Sequence, residues 1–316
     1  MPNLLINSNE TEWAKININF LGSTYVAKKE PGAGNPYSGN ENIYVEQTSK
    51  NEKAEINLTF SGPNILDIGT LSIKNITNSA KKILKDMISV MIDLKIEITV
   101  AIRGHSRGGI IAKNIYDFLK KKFGNRIKLE EVIYADPYAG PINRLEKLVD
   151  NFEIEQKLSN DMVIYSLVEK VFASPSLILN AEVVIFSNTT HSSTRYVLEY
   201  VNNNKNQFRK KATYYIKDDG NISNLCKKAD RERDFEKREK LENSIYKSIE
   251  NGLNIIDDEK SCDEAIKYFK NYKTQRRSEI LYRRLASINK QCKDVVIKHL
   301  KKHHNIILLR KIEPQT

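Results

Sequence analysis

The segment Ile96-Glu97-Ile98-Thr99-Val100-Ala101-Ile102 is rich in β-branched residues and stops at Gly104, and the chain then changes period at once. Beyond the glycine, Ile110-Ile111-Ala112, Ile115-Tyr116 and Leu119 recur at the spacing of one helical face. A buried strand that passes through a sharp turn directly into an amphipathic helix belongs to an α/β architecture, because strand and helix must cover each other's apolar faces.

The flanking sequence repeats this alternation. Lys15 to Phe20 and Ala54 to Phe60 alternate with period two and predict strands. Ile83, Leu84, Met87, Ile88, Met91 and Ile92 predict a helix over 79–94. Leu129 to Ala135, Met162 to Leu167 and Ala181 to Ser187 read as buried strands separated by helix-length stretches, which implies a mostly parallel, doubly wound sheet. Ala212 to Ile216 reads as an edge strand or hairpin ending at Asp218-Asp219-Gly220, and the breakers between Lys29 and Gly39 predict a surface loop.

From Asp230 the composition turns to charged helical sequence, so the expected division is an α/β domain over 1–224 and a basic helical domain over 225–316, with about four helices. Residues 226–316 hold 23 Lys/Arg and 15 Asp/Glu, or +8 of the net +11, leaving +3 for the rest. Such a surface can attract an anionic membrane or a protein partner. It lacks the interleaved aromatic and basic residues of a single-strand platform, which argues against nucleic acid; Tyr268, Phe269 and Tyr272 read as core.

No run approaches the ~20 apolar residues of a spanning helix, and Met1 to Asn9 lack the marks of a signal peptide. Cys226, Cys262 and Cys292 match neither a disulfide framework nor a metal spacing, so they are expected as reduced thiols of a cytoplasmic protein. No Gly-x-x-x-x-Gly-Lys, His-Glu-x-x-His or Cys/His cluster supports nucleotide or metal chemistry, and no cofactor is expected.

At the turn itself stand Gly104, Ser106 and Gly108, in the pattern G-x-S-x-G. A serine hydroxyl becomes a nucleophile only when a base takes its proton and fixed donors receive the oxyanion. The tight strand-to-helix turn is expected to expose that hydroxyl, with the Arg107 amide as the first oxyanion donor. The second donor is expected from the turn Phe20 to Thr24, at Gly22 and Ser23, unless that is an ordinary glycine turn. His191 follows the apolar run Val183 to Phe186 where a late strand's loop would carry a base, whereas His299, His303 and His304 sit in a Lys-rich terminal helix. For the acid, Asp136 is favoured over Glu169; each follows a predicted strand, and Asp136 before Pro137 is also an ordinary turn residue. Arg103 and His105 are candidates for substrate contact, and Arg103 and Arg107 for a phosphate or carboxylate; the alternatives are an ion pair for the arginines and packing against the sheet for His105.

Gly-His-Ser-Arg-Gly-Gly at 104–109, Ala-Asp-Pro at 135–137 and Thr-His-Ser at 190–192, in that order, resemble bacterial lipase-like α/β-hydrolases. The arginine after the serine is similar to the G-x-S-R-G elbow of type VI secretion lipase and phospholipase effectors. The resemblance spans roughly residues 15–200. It implies Ser106 as nucleophile, Asp136 as acid and His191 as base in hydrolysis of acyl esters, phospholipids among them, with no organic cofactor and with delivery by a Sec-independent route. The competing expectation is a non-catalytic interaction protein that keeps the hydrolase fold and binds partners through its basic helices.

Overall fold

The computed structural model describes residues 5–7, 14–20, 44–46, 53–60, 73–93, 95–137, 161–167, 181–218, 221–269 and 275–313. The chain divides into two compact units, Met1–Pro137 and Tyr138–Thr316, and each combines strands and helices in the α/β manner.

The first unit contains β1 (Leu5–Asn7), β2 (Ala14–Phe20), β3 (Tyr44–Glu46), β4 (Lys53–Phe60), α1 (Ile73–Asp93), β5 (Glu97–His105), α2 (Arg107–Phe123) and β6 (Lys128–Ala135). Strands β2, β4, β5 and β6 lie side by side in that order, all parallel. Strands β1 and β3 form a small parallel pair of their own, which no periodic pattern foretells. In β4, Ala54, Ile56, Leu58 and Phe60 are buried while Lys53, Glu55, Asn57 and Thr59 are partly exposed, whereas β5 is buried on both faces from Ile98 to Ile102. Helix α1 contributes Ala80, Leu84, Met87, Ile88 and Met91 to the core, and α2 contributes Ile110, Ile111, Ile115 and Leu119. Each large aliphatic side chain buried in this way is worth about 1.5–3 kcal/mol, which fixes the pose of α2 against β5.

The second unit contains β7 (Met162–Ser166), β8 (Val183–Ser187), α3 (Thr194–Asn203), β9 (Ala212–Ile216), α4 (Asn221–Arg231), α5 (Phe235–Gly252), β10 (Leu253–Ile256), α6 (Glu259–Phe269), α7 (Gln275–Ile288), α8 (Lys290–Lys302) and α9 (Ile306–Ile312). Strands β7, β8 and β9 are parallel, and β10 adds antiparallel to β9. Strand β9 is therefore interior, neither the edge strand nor the local hairpin expected from its alternation, because β10 emerges from what reads as continuous helical sequence. Gly252 makes this turn: a Cβ there would lie 2.2 Å from the Lys217 carbonyl oxygen, and the Lys217 amide donates to the Gly252 carbonyl at 2.8 Å.

Helices beyond residue 224 share this unit with β7–β9, and a boundary at 224/225 falls inside α4. Buried Arg284 on α7 donates to Thr213 Oγ1 (2.9 Å) and to the Ala212 carbonyl (3.4 Å) of β9. The Tyr268 hydroxyl on α6 donates to the Asp218 carbonyl (2.8 Å) and accepts from the Asp218 amide (2.6 Å). Phe269, expected as core, stacks edge-on against Phe186 and Tyr215. Among the described residues no helix is long and apolar enough to cross a membrane.

Candidate active site

Strand β5 ends at His105 and α2 begins at Arg107, so Ser106 alone makes the turn, at φ 57° and ψ −127°. A non-glycine residue held there stores about 1–3 kcal/mol of backbone strain, which persists only when its surroundings over-determine it. Two contacts do so. The Ser106 amide donates to the Ala135 carbonyl at 2.9 Å, and the Ser106 carbonyl accepts from the Gly109 amide at 3.0 Å.

Two glycines flanking Ser106, Gly104 and Gly109, are steric necessities. A Cβ on Gly104 would lie 2.4 Å from the Gly108 carbonyl oxygen and 2.7 Å from the Gly109 Cα, so only a bare backbone lets strand and helix approach this closely. A Cβ on Gly109 would lie 2.9 Å from the Pro137 Cβ. Alternation along β5 puts Arg103 and His105 on the sheet face opposite Gly104.

Serine at a helix N-cap ordinarily spends its hydroxyl on a first-turn amide. Ser106 makes no such side-chain bond. Helix α2 has no acidic residue in its own first turn, so no carboxylate of that turn offsets the partial positive charge of its N-terminal amides, Arg107 included. Ser106 is 8% exposed, more enclosed than the open hydroxyl expected from the motif.

Asp136 follows β6 as Ser106 follows β5, and the register His105 to Ala135 makes the two residues neighbours across adjacent strand ends. Asp136 is itself in the left-handed region, at φ 45°, and is 1% exposed. Among the described residues of the first unit, Asp136 is the one buried carboxylate. Arg103, half-buried, donates Nε to Thr59 Oγ1 at 2.8 Å on the neighbouring strand, a structural bond within the sheet. His105 is buried. Gly22, Ser23 and Glu169 lie outside the described residues.

In the second unit, His191 sits in the turn between β8 and α3, in the position expected for a base-bearing loop. The turn is fixed by hydroxyl groups. The Thr190 carbonyl accepts from the Ser193 and Thr194 amides, both at 3.0 Å, and Thr194 Oγ1 donates to the His191 carbonyl at 2.6 Å. Beneath it, buried Ser166 donates to the Thr189 carbonyl (2.6 Å) and Ser187 shares a 2.7 Å bond with Thr189 Oγ1. Arg277 of α7, also buried, donates to the Ser166 carbonyl. Asn188 donates to the Asp218 carbonyl (3.2 Å) and to the Tyr268 hydroxyl (2.7 Å).

These supports were not anticipated, although two signals existed: the density of hydroxyl residues from Ser187 to Thr194, and the recurrence of Arg277, Ile280, Leu281, Arg284 and Leu285 on one helical face.

His299 and the cysteines are engaged elsewhere. His299, in the Lys-rich terminal helix, is half-buried and bonded to the Tyr282 hydroxyl at 3.1 Å. All three cysteines are buried and free. Burial pushes the Cys226 thiol up to about 12 despite a hydrogen bond from Ser193, and raises Cys262 and Cys292 as well, so none is a ready thiolate. Among the described residues no group of three or more His, Cys, Asp or Glu could hold a metal ion.

Comparison with protein-family models, with curated proteins and with solved structures returns no match for this chain.

Proposed function

We propose that the chain is a serine hydrolase of acyl esters of the α/β-hydrolase kind, with lipid or phospholipid esters as its substrates and residues 225–316 as a basic helical region for attachment. The observation that carries this reading is the strained turn at Ser106, at φ 57°, with a hydroxyl that does not cap its own helix. Backbone strain at an unspent nucleophile is what an elbow requires and what a structural turn would relieve with glycine.

In this reading Ser106 Oγ attacks the ester carbonyl carbon and its proton passes to His191. The Arg107 amide receives the developing oxyanion, with Gly22 and Ser23 assigned to the second donor. His191 returns the proton to the leaving alcohol, and water then cleaves the acyl-serine by the same relay. Asp136 is assigned to orient the imidazole, with Glu169 as the alternative acid; Arg103 and His105 flank the substrate. No organic cofactor enters.

The test is turnover of p-nitrophenyl acyl esters by wild type and by Ser106→Ala. A fall of roughly 10³-fold or more supports the mechanism, and full turnover by the variant removes it. The 8% exposure of Ser106 favours a second reading, a non-catalytic interaction protein on the same fold. That reading predicts no covalent labelling of Ser106 by a fluorophosphonate.

A further inference from the structure

Two adjacent side chains, Ile306 and Ile307, are 58% and 59% exposed, the two most exposed large hydrophobics among the described residues. They open helix α9 and are presented rigidly. Asn305 caps the helix through Oδ1 to the Leu308 amide (3.2 Å), and its own amide donates to the Leu300 carbonyl (3.0 Å). Leu308 and Ile312, on the other side of the same helix, are buried. The isoleucines are therefore held outward by a helix whose inner face is already satisfied.

The sequence on both sides of this pair is cationic. Residues 298–313 hold five Lys/Arg and one Glu, a balance of +4. Lys311 turns inward to Glu279 (2.8 Å), which also takes Arg283 (3.4 Å), and Lys301 lies 3.9 Å from Glu313. Lys298, Lys302 and Arg310 are exposed, and among the described residues they form no ion pair. Arg310 stands three and four positions after the isoleucines, on the same side of the helix. His303 and His304 are exposed in the turn before them.

We propose that the α8–α9 tip docks on an anionic lipid bilayer, with Ile306 and Ile307 entering the acyl boundary and Lys298, Lys302 and Arg310 meeting lipid phosphates. A pair of exposed apolar side chains with exposed cations nearby in the chain matches the layered chemistry of that surface, apolar beneath and negative above. A second copy of the same tip would set like charges against each other. A nucleic acid would use the cations and leave the isoleucines in water. Ester hydrolysis is not needed for this docking, so either can fail without the other.

The experiment is flotation of the full chain, carrying Ser106→Ala so that ester cleavage cannot alter the vesicles. Vesicles of phosphatidylcholine alone are compared with phosphatidylcholine mixed with phosphatidylserine. The expected result is flotation with the anionic vesicles, weakening as salt is raised. The double change Ile306→Asp with Ile307→Asp should lower partitioning roughly tenfold or more, since burial of one such side chain is worth more than that factor. The double change Lys302→Glu with Arg310→Glu should lower it several-fold, with unchanged far-ultraviolet circular dichroism.

Equal flotation by the aspartate variant, equal flotation with phosphatidylcholine alone, or no flotation with anionic vesicles would each overturn the proposal. So would a concentration-dependent dimer that the aspartate variant abolishes.

Discussion

Gly104 and the Gly108 carbonyl approach so closely that a methyl group on the former would sit 2.4 Å from the oxygen of the latter. Backbone rather than a flexible side chain stands in the way, so neither partner can yield cheaply. Gly104→Ala should therefore cost about 1–3 kcal/mol or more in folding stability, read as a lower urea midpoint. Ester turnover, if Ser106 is the nucleophile, should fall further than stability alone accounts for, because the elbow itself must shift.

Ser106→Gly and Ser106→Ala should separate strain from chemistry. Glycine is at ease at φ 57° and alanine is not. After allowance for glycine's extra freedom in the unfolded chain, Ser106→Gly should stabilise by about 1 kcal/mol, while Ser106→Ala keeps the strain. Thermal denaturation of both against wild type provides the check. A destabilised glycine variant would mean that the turn is not under strain.

Arg277 and Ser166 tie α7 to the end of β7 through a buried bond. Arg277→Met removes this buried donor, at a cost of about 1–3 kcal/mol. Since Arg284 and β10 bind the same sheet, strands and helices of the second unit should melt together. Tryptic cleavage within 225–316 and loss of near-ultraviolet circular dichroism should then share one denaturant midpoint, and a separate early loss of the helices would contradict this.

Alkaline pH should weaken the fold. Burial raises the Cys226 thiol from 9.0 to about 12 and the Tyr196 hydroxyl from 10.0 to about 12. Unfolded chains release these protons at the ordinary values while the folded form keeps them. The contribution of both groups is thus fully present below pH 9 and drains away as pH climbs toward about 12. Urea midpoints should be level with respect to these groups up to pH 9 and fall steadily above it. Cys226→Ala should flatten the lower part of that decline.

Much of the fold was legible because its periods are unambiguous. Ala54 to Phe60 alternates in sequence and in burial, and Ala212 to Ile216 is a strand with the bounds its alternation predicts. The strand-turn-helix around Ser106 followed from β-branched residues that stop at glycine. Strand β10 was hidden because four residues between long charged helices carry too little pattern, and its pairing with β9 is a tertiary choice. Gly252, at the end of a helical period, was the one local mark of it. Composition does not mark Arg277 and Arg284 as buried; the one signal was their recurrence with Ile280, Leu281 and Leu285 on a single helical face. The left-handed backbone at Asp136 had no sequence signal at all, since aspartate before proline usually means a plain turn.

Pro137 rests where Gly109 lacks a side chain, with 2.9 Å left for a Cβ that is not there. Positions 109 and 137 therefore share one parcel of space and cannot drift separately. Along an evolutionary lineage, any bulk gained on the helix would have to be matched by bulk surrendered after the strand. A mutant library should treat the two codons as a single variable, because most combinations that enlarge only one of them will be lost before selection for anything else begins.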